Sequence, residues 1–349
     1  MSTSKTKEAI KAKKTLPEGF TFDKDGRLTK QVGEKIVNVA ATRFEVLNLT
    51  KNAKGNRGWG YRVKLTDSDG KQHIEYLSAK ELRNDQYGVI ERLADIGFDI
   101  LSFRYYLEFL IEMKRHITTA PITCINQLGW NESELVFACV DKVYKKEENT
   151  TEYIFLDSDS GKVLPVTQMQ GELKEYQENV VPLIQQDSVL IVSLCAALSN
   201  ILQGLSEVEN GGLLFYGDSS TGKTTALQVF ASVFGVASDP SIRSDKSNFI
   251  IRFNATKNGM EARCRQYSGV GMAIDELGSF IGRNVGTMIY DFAGGQGKSV
   301  MDSSRNLVEP KRWRFIFVAS GEESMQEKIL NKGETLKTGM AVRIVSNYA

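Results

Sequence analysis

The sequence is poor in the residues that build metal centres and disulfide frameworks. It has four cysteines and two histidines among 349 residues. The cysteines are far apart and form no C-x-x-C pair, so the sequence does not suggest a zinc site, and we expect buried free thiols instead. These residues are Cys124, Cys139, Cys195, Cys264, His73 and His116.

The chain also lacks a strong net charge and a long apolar run. Its formal net charge is +1, so any contact with nucleic acid must come from local basic patches. The most apolar stretch, Val189–Leu202, is shorter than the roughly 18 residues of a membrane span and contains Ser193, Ser199 and Asn200. The first residues are rich in serine and lysine, without an apolar signal core. We therefore expect a cytoplasmic protein with no membrane partner.

What is present fits a soluble protein of two domains, given the length and the ordinary composition of 41% hydrophobic and 25% charged residues. Residues 1–16 form a basic flexible tail that could touch DNA, although solvated disorder is more common for such tails. A β-rich α+β domain is predicted over 17–170 and a second domain over 171–349. In the first, Trp59 and Trp130 could stack on bases, but core packing is the more common use.

Apolar periodicity predicts the main elements of the first domain and the start of the second. Strands are expected at 36–39, 44–47, 60–65, 73–77, 122–125, 135–138 and 153–156, with a hairpin turn at 67–70. Helices are expected at 79–96, 102–116 and 180–205, with a polar connection over 161–179.

A glycine-rich segment organises the second domain. Gly217–Thr224 fits G-x-x-x-x-G-K-[ST], the phosphate-binding loop of P-loop nucleotidases. It follows the apolar run Leu213–Tyr216, which is typical of a buried strand, and precedes Thr225–Phe230, which is typical of a helix. Glycines allow backbone N–H groups to surround phosphate oxygens, and the helix N-terminus adds its positive dipole end. The alternative is a glycine turn that matches by chance.

The loop predicts ATP as substrate and Mg²⁺ as its metal. Lys223 is expected to reach the β- and γ-phosphates, and the Thr224 hydroxyl is expected to hold Mg²⁺. The predicted ATP-binding residues are Gly217, Asp218, Ser219, Ser220, Thr221, Gly222, Lys223, Thr224 and Thr225.

A second apolar run ends in two carboxylates. Gly271–Glu276 is predicted to be a strand whose end carries Asp275, for the Mg²⁺ shell, and Glu276, to orient or activate the attacking water. Many strands end in acids, but this pair lies about fifty residues after a P-loop sequence. The second acid favours hydrolysis over phosphoryl transfer by a kinase.

A third apolar run, Trp313–Ala319, ends in Ser320. In additional-strand ATPases a polar residue at this place contacts the γ-phosphate or the water, and Ser320 is the candidate; alternatively it only ends a strand. Strands alternating with helices predict a mainly parallel sheet with nucleotide at its carboxyl edge. The predicted fold is therefore an α/β P-loop NTPase, AAA+-like, preceded by the β-rich α+β domain.

From about Pro17 to the end, the chain resembles the domain-of-unknown-function 927 family, AAA+-type ATPases of mobile elements and prophages that resemble self-loading replicative helicases. The resemblance implies a homo-oligomeric ring, such as a hexamer, with ATP between subunits, and translocation on DNA, which we expect to be single-stranded. The matching residues are Gly129-Trp130, Gly217–Thr224, Asn254–Glu261, Ile274–Leu277, Ile289-Tyr290, Gly295–Lys298, Trp313, Ser320–Glu322, Gly339 and Val342-Arg343.

Two further roles are implied by this resemblance. Arg343 matches an arginine that reaches the γ-phosphate of a neighbouring subunit, with a surface arginine as the alternative. Lys298 lies where related helicases place a pore hairpin that grips DNA phosphates, with a solvated lysine as the alternative. Arg305, Lys311 and Arg312 are weaker DNA-binding candidates.

The resemblance also implies a C-terminal helical lid, which is not present in the six residues after Arg343. We therefore expect a chain cut before its lid, and two other functions stay open beside the helicase. One is a P-loop ATPase switch or protein remodeller, for example in phage defence, that does not act on DNA. The other is a DNA-binding fragment with little turnover.

Overall fold

The computed structural model describes most of the chain. The described residues are 16–53, 57–131, 134–156, 171–242, 248–252, 257–277, 285–301, 307–308, 310–333, 335 and 338–349. The predicted tail over 1–16 lies outside these residues except for Leu16.

The strands are β1 (Phe20–Phe22), β2 (Leu28–Val32), β3 (Lys35–Asn38), β4 (Phe44–Asn52), β5 (Gly60–Thr66), β6 (Gln72–Ser78), β7 (Ile122–Ile125), β8 (Gly129–Asn131), β9 (Val136–Ala138), β10 (Val143–Tyr144), β11 (Tyr153–Phe155), β12 (Gly211–Tyr216), β13 (Ile250–Arg252), β14 (Met272–Asp275), β15 (Val300–Met301), β16 (Leu307–Val308), β17 (Ile316–Gly321) and β18 (Ile344–Tyr348). The helices are α1 (Glu81–Asn84), α2 (Gln86–Asp95), α3 (Phe103–His116), α4 (Leu173–Asn179), α5 (Val181–Ile184), α6 (Ser188–Gln203), α7 (Lys223–Ser232), α8 (Lys257–Gln266), α9 (Val285–Gly294), α10 (Met325–Asn331) and α11 (Thr338–Ala341).

The chain divides into two compact units. The first runs to Cys124 and includes Thr150–Tyr153, and the second comprises 125–149 and 154–349. The change of unit at Cys124 comes earlier than the boundary predicted near residue 170. The reason is that Leu128 and Phe137 belong to the hydrophobic core of the second unit.

Most strand pairs of the first unit are antiparallel, whereas β4 and β7 run parallel. Strands β1, β2 and β3 form one sheet, and β11, β7, β4, β5 and β6 follow one another in a second. The predicted hairpin is confirmed, since β5 and β6 pair antiparallel from Gly60↔Ser78 to Thr66↔Gln72. Aromatic rings fill the core, with the ring of Phe44 5.1 Å from that of Tyr106 and 5.3 Å from that of Phe109.

Two predicted helices are interrupted by aspartates that cap a new helix. Residues 79–96 form α1 and α2, because Asp85 leaves helical geometry and its carboxylate accepts the N–H of Gly88. Residues 180–205 form α5 and α6, because Asp187 caps α6 through the N–H groups of Val189 and Leu190. An aspartate at this position satisfies amides that the first helical turn leaves unpaired. Part of the predicted polar connection, Leu173–Asn179, is the helix α4.

The second unit contains a five-stranded parallel sheet in the order β13, β14, β17, β12, β18. Strand β17 therefore lies between β12 and β14, although it follows both in the chain. Because all five strands run in one direction, their carboxyl ends meet at a single edge. Buried faces of α7, including Leu227 and Phe230, belong to the core around this sheet.

Two asparagines, the buried Asn200 and the half-buried Asn210, fix the start of β17. The Asn200 amide accepts from the N–H of Ile316 at 2.7 Å and donates to its carbonyl at 3.1 Å. The Asn210 side chain accepts from the N–H of Phe315 at 3.0 Å and donates to the Trp313 carbonyl at 3.3 Å. These bonds imitate a neighbouring strand and set the register that carries Ser320 to the far end of β17.

The Gly129-Trp130 pair has a packing role. Gly129 (φ +82°) lies so close to Gly269 that a Cβ on Gly129 would be 2.5 Å from the Gly269 Cα. The Trp130 indole donates to the Ile201 carbonyl at 2.8 Å, and its ring lies against Gly204. Trp130 therefore packs against the core of the second unit.

The thiols only partly match the expectation. Cys124 and Cys264 are buried, but Cys139 is half-buried and Cys195 is exposed. The prediction was wrong for Cys195 because α6 buries the polar residues Ser193, Asn200 and Gln203 and exposes apolar ones, so apolar spacing does not reveal which face is covered. Within the described ranges no cluster of three or more His, Cys, Asp or Glu residues could hold a metal ion. No helix in those ranges is both long and apolar enough to cross a bilayer.

Candidate functional site

The glycine-rich loop joins the carboxyl end of β12 to the start of α7. Gly217 has φ +145°, and a Cβ there would lie 3.2 Å from the Ala349 carbonyl oxygen and 3.3 Å from the Tyr348 ring. Gly222, with φ +91°, is the N-cap of α7. Both positions need backbone angles that residues with a Cβ rarely adopt, which is the physical reason for glycine there.

The first turn of α7 presents free backbone donors. The first bond within the helix runs from the N–H of Ala226 to the Gly222 carbonyl, and the N-cap residue, Gly222, has no side chain that could cap the helix. The N–H groups of Lys223, Thr224 and Thr225 therefore point out of the helix N-terminus, where the dipole is positive. Thr224 is half-buried and Thr225 is exposed. This geometry suits an anion.

Lys223 lies across the loop. Its ammonium donates to the carbonyls of Gly217 (2.8 Å) and Asp218 and lies 3.4 Å from the Thr221 hydroxyl. The Thr221 hydroxyl itself donates to the Asp218 carbonyl at 3.0 Å. Asp218, Ser219, Ser220 and Thr221 are exposed, so the loop closes around the one cationic side chain with its other polar groups open to solvent.

A hydrogen-bonded triad joins the ends of β14 and β17. The Ser320 hydroxyl donates to Asp275 Oδ1 at 2.9 Å and accepts from the Glu276 N–H at 2.9 Å. Ser320 is 4% and Asp275 9% exposed, whereas Glu276 is exposed. The Ser320 hydroxyl therefore bonds to the carboxylate of Asp275 and to the backbone of Glu276, and so holds both residues in place.

The sheet brings the loop and the triad to one edge. In the ladder, Ile274 is opposite Ala319, and Phe215 is opposite Ser320. Neighbouring strands are about 4.8 Å apart, so the ends of β12 and β14 lie about 10 Å apart with Ser320 between them. Residues 217–225, Asp275, Glu276 and Ser320 are thus brought together as the sequence suggested.

Two residues at this edge have strained backbones. Ser220 (φ +67°) in the loop and Glu276 (φ +54°) after β14 are in the left-handed region, which costs non-glycine residues on the order of 1 kcal/mol or more. Such residues persist where the surroundings fix them, and they cluster at active sites. For Glu276, the bond from its N–H to Ser320 is one of the fixing contacts.

Arg343 is not part of this cluster. It immediately precedes β18, and its carbonyl accepts from the N–H of Gly212 at the start of β12. Five residues of strand, about 16 Å, separate Gly212 from Gly217. The guanidinium donates to the Gly339 carbonyl at 2.6 Å and lies 5.0 Å from the Tyr290 ring centre. It therefore belongs to the amino edge of the sheet, opposite the loop.

The DNA-binding candidates lie on a two-stranded antiparallel arm. Gly295 accepts from the Trp313 N–H, Gly297 donates to the Lys311 carbonyl, and β15 pairs with β16 farther along. Lys298 on one side and Lys311 on the other are both exposed, as is Arg312. Arg305 lies outside the described residues.

One aromatic residue beside the loop was not predicted from the sequence. Tyr348, at the end of β18, contacts Gly217 and Tyr216. The run Ile344–Tyr348 does not alternate apolar and polar residues, and five residues do not reveal that a strand here lies parallel to β12.

Most of the chain is similar to known proteins. The family model described as "Domain of unknown function (DUF927)" matches residues 17–306. A solved structure described as "SCCmec type IV Cch - active helicase" is similar with a TM-score of 0.68 and 18% identity, over 96% of this chain and 59% of that one. A second, "The A form apo structure of NrS-1 C terminal region-CTR", has a TM-score of 0.30 and 11% identity, over 80% of this chain and 54% of that one. No curated protein matches.

Proposed function

The chain belongs to the domain-of-unknown-function 927 family, and we propose that it hydrolyses ATP and uses the energy to translocate on or unwind DNA. The observation that carries the proposal is the single sheet edge that holds the glycine-rich loop, Asp275, Glu276 and Ser320. A strand inserted between the loop strand and the acidic strand, as β17 is, is the arrangement expected of an additional-strand P-loop ATPase. The likeness to a helicase structure supports the fold on which this proposal rests.

The loop provides the phosphate site of the proposal. The free amides of Lys223, Thr224 and Thr225 donate to phosphate oxygens at the helix N-terminus. Lys223 exchanges the loop carbonyls for the β- and γ-phosphates, and its ammonium then stabilises the charge that develops during phosphoryl transfer.

The donor set fits magnesium. Mg²⁺ prefers oxygen ligands and keeps several waters, so one or two protein oxygens together with phosphates suffice. Asp275 and the Thr224 hydroxyl are such donors, and Oδ2 of Asp275 accepts no hydrogen bond from the described residues. When bound, Mg²⁺ would supply positive charge that neutralises phosphate oxygens. Glu276, exposed beside Asp275, orients the attacking water and accepts its proton.

The basic arm is the DNA-binding element of the proposal. Lys298 and Lys311 are exposed on its two sides, where ammonium groups can pair with phosphates of a strand that passes the arm. A short antiparallel arm brings cations to DNA without a strongly basic chain, in keeping with a net charge of +1. We place the activity in the cytoplasm, in the replication of a mobile element or prophage.

The position of Arg343 supports a role in the site of another subunit. It lies about 16 Å along the sheet from the loop of its own chain, so it can contact a γ-phosphate only in trans. This is the role expected in a homo-oligomeric ring such as a hexamer, where the arginine stabilises transition-state charge.

The first experiment measures ATP hydrolysis with and without single-stranded DNA. We compare the wild type with Lys223→Ala and with Lys174→Ala, a control lysine on α4 whose side chain is 77% exposed. The expected result is hydrolysis that DNA stimulates, that falls about 100-fold or more in Lys223→Ala, and that Lys174→Ala leaves unchanged.

Other results of the hydrolysis experiment would favour a different function or contradict the proposed site. Hydrolysis that depends on Lys223 but not on DNA contradicts the DNA motor and favours an ATPase switch or remodeller. ATP binding without turnover, with or without DNA, favours a DNA-binding fragment. Hydrolysis equal in wild type and Lys223→Ala contradicts the proposed site.

A mixing experiment tests the arginine. Lys223→Ala and Arg343→Ala are each expected to be inactive alone. In mixed assemblies, an intact loop of an Arg343→Ala subunit can meet Arg343 of a Lys223→Ala subunit, so we expect part of the activity to return. If activity does not return in assemblies shown to contain both variants, Arg343 does not act in trans.

A further inference from the structure

Tyr348 forms a partly open aromatic surface next to the glycine-rich loop. The residue is 62% exposed, and its ring meets that of Tyr216 edge to face, with centres 5.5 Å apart. The N–H of the following residue, Ala349, donates to the Tyr216 carbonyl at 2.9 Å. The ring is therefore held on one side by the end of β12 and open on the other.

The ring also borders the loop itself. A Cβ on Gly217 would lie 3.3–3.4 Å from Tyr348 ring carbons, and the Tyr348 hydroxyl lies 3.5 Å from an Asp218 carboxylate oxygen. The first two loop residues thus touch the aromatic side chain directly. A nucleotide with its phosphates in this loop has its sugar and base within a few ångströms of the loop, because they are covalently joined to the α-phosphate.

We propose that Tyr348 is a nucleotide-binding residue on which the base of the bound nucleotide stacks. The inference rests on the proposed function, since it assumes that the loop binds the phosphates. Every base has a π-face, so stacking on tyrosine adds affinity with little choice among bases. The contact with Tyr216 and the backbone bond at Ala349 hold the ring before the nucleotide arrives, which limits the entropy lost on binding.

The test separates the base from the phosphates. Calorimetry measures the dissociation constants of ATP, GTP and inorganic tripolyphosphate, which has no base, for the wild type, Tyr348→Ala and Tyr348→Phe. We expect Tyr348→Ala to weaken ATP and GTP on the order of tenfold and to leave tripolyphosphate unchanged. Tyr348→Phe keeps the ring and is expected to bind all three probes as the wild type does.

Two further variants complete the design. Tyr87→Ala removes another tyrosine, 79% exposed on α2 of the first unit, and is expected to change nothing. Tyr348→Leu keeps an apolar side chain for packing at the strand end, so it replaces Tyr348→Ala if that variant does not fold, with the same expected loss.

The outcomes distinguish this inference from the function beneath it. If Tyr348→Ala binds ATP as the wild type does, or weakens ATP and tripolyphosphate equally, the stacking role is refuted while the loop site stands. If the wild type binds neither ATP nor tripolyphosphate, or if Lys223→Ala binds both unchanged, the proposed phosphate site fails and the stacking role fails with it.

Discussion

The bonds of Ser320 can be tested by removing one oxygen atom. In Ser320→Ala, Asp275 loses the hydroxyl donor at 2.9 Å, and the Glu276 N–H loses its acceptor. The substitution changes the volume little at a position that is 4% exposed, so the hydrogen bonds are the main loss. We expect a less stable second unit and carboxylates that are no longer held in place.

The expected size follows from the two bonds. A hydrogen bond to a charged group contributes about 1.5–3 kcal/mol, and one between neutral groups about 0.5–1.5 kcal/mol. Ser320→Ala should therefore lower the free energy of unfolding by about 2–4 kcal/mol. Ser193→Ala is the matched control, because the buried Ser193 hydroxyl donates one neutral bond, to the Ala226 carbonyl, and it should cost about 1 kcal/mol.

The assay is urea unfolding followed by tryptophan fluorescence in a Trp59→Phe background. The chain has three tryptophans, and the two that remain, Trp130 and Trp313, belong to the second unit. The same variants are then compared for the Mg²⁺ concentration that gives half-maximal ATP hydrolysis. We expect Ser320→Ala to raise it, because a loosened Asp275 is a poorer ligand, and Ser193→Ala to leave it near the wild type.

Equal losses of stability in the two serine variants would show that the bonds from Ser320 do not form in solution. The expected loss of stability in Ser320→Ala together with an unchanged Mg²⁺ requirement would be a different result. It would leave Ser320 a structural role and remove Asp275 from the magnesium site.

Three further predictions concern stability and reactivity. Gly129→Ala should lower the free energy of unfolding by at least about 2 kcal/mol, because its Cβ would lie 2.5 Å from glycine backbone. Gly333→Ala, also at positive φ but without a described atom within 4 Å of the added Cβ, should lower it less. Equal losses in the two variants would refute the close contact. Cys195 is exposed, and burial raises the pKa of the Cys139 thiol to about 11. In a thiol titration at pH 8, Cys195 should therefore react before Cys139. A fast phase of the reaction that remains in Cys195→Ser would contradict this. Hydrogen bonds from the N-cap backbone and hydroxyl of α10 lower the pKa of Glu327, so its stabilising effect is present above its ordinary pKa and is lost as the pH falls through the lower folded value. Glu327→Gln should make the free energy of unfolding less dependent on pH in this acidic range. If the pH dependence in this range is the same in the variant and the wild type, the capping bonds of Glu327 do not form.

The loop and its acids could be predicted because their patterns are local. A short apolar run before Gly217 and another before Asp275 each mark a strand end within about ten residues of sequence. The bond from Ser320 to Asp275 could not be predicted in this way. It joins residues 45 apart and depends on β17 lying between two earlier strands, which no local pattern records.

Other differences arose where tertiary contacts or caps override periodicity. Asp85 and Asp187 each begin a new helix within a stretch whose apolar spacing continues. An aspartate before an apolar run is itself an N-cap sign, so attention to capping would have found both breaks. Strand β13, only three residues long, has too short a pattern to distinguish it from a loop.

The direction of the sheet bears on how many chains the proposed reaction needs. In parallel strands the carboxyl ends share one edge, and the loop, Asp275 and Ser320 lie there. Arg343 and the base of the basic arm lie at the other edge, since Arg343 bonds to Gly212 and the arm begins beside the residues that precede β12. Strands of about 16–20 Å separate the edges.

In a single chain, Arg343 therefore cannot reach the glycine-rich loop unless the sheet unfolds. If Arg343 takes part in hydrolysis, the second edge must come from another copy, and the specific activity must rise with protein concentration as the assembly forms. Arg343→Ala should lower the activity only in the concentration range where the wild type is assembled. Activity that depends on Arg343 but is the same per chain in dilute, monomeric protein would be incompatible with this geometry.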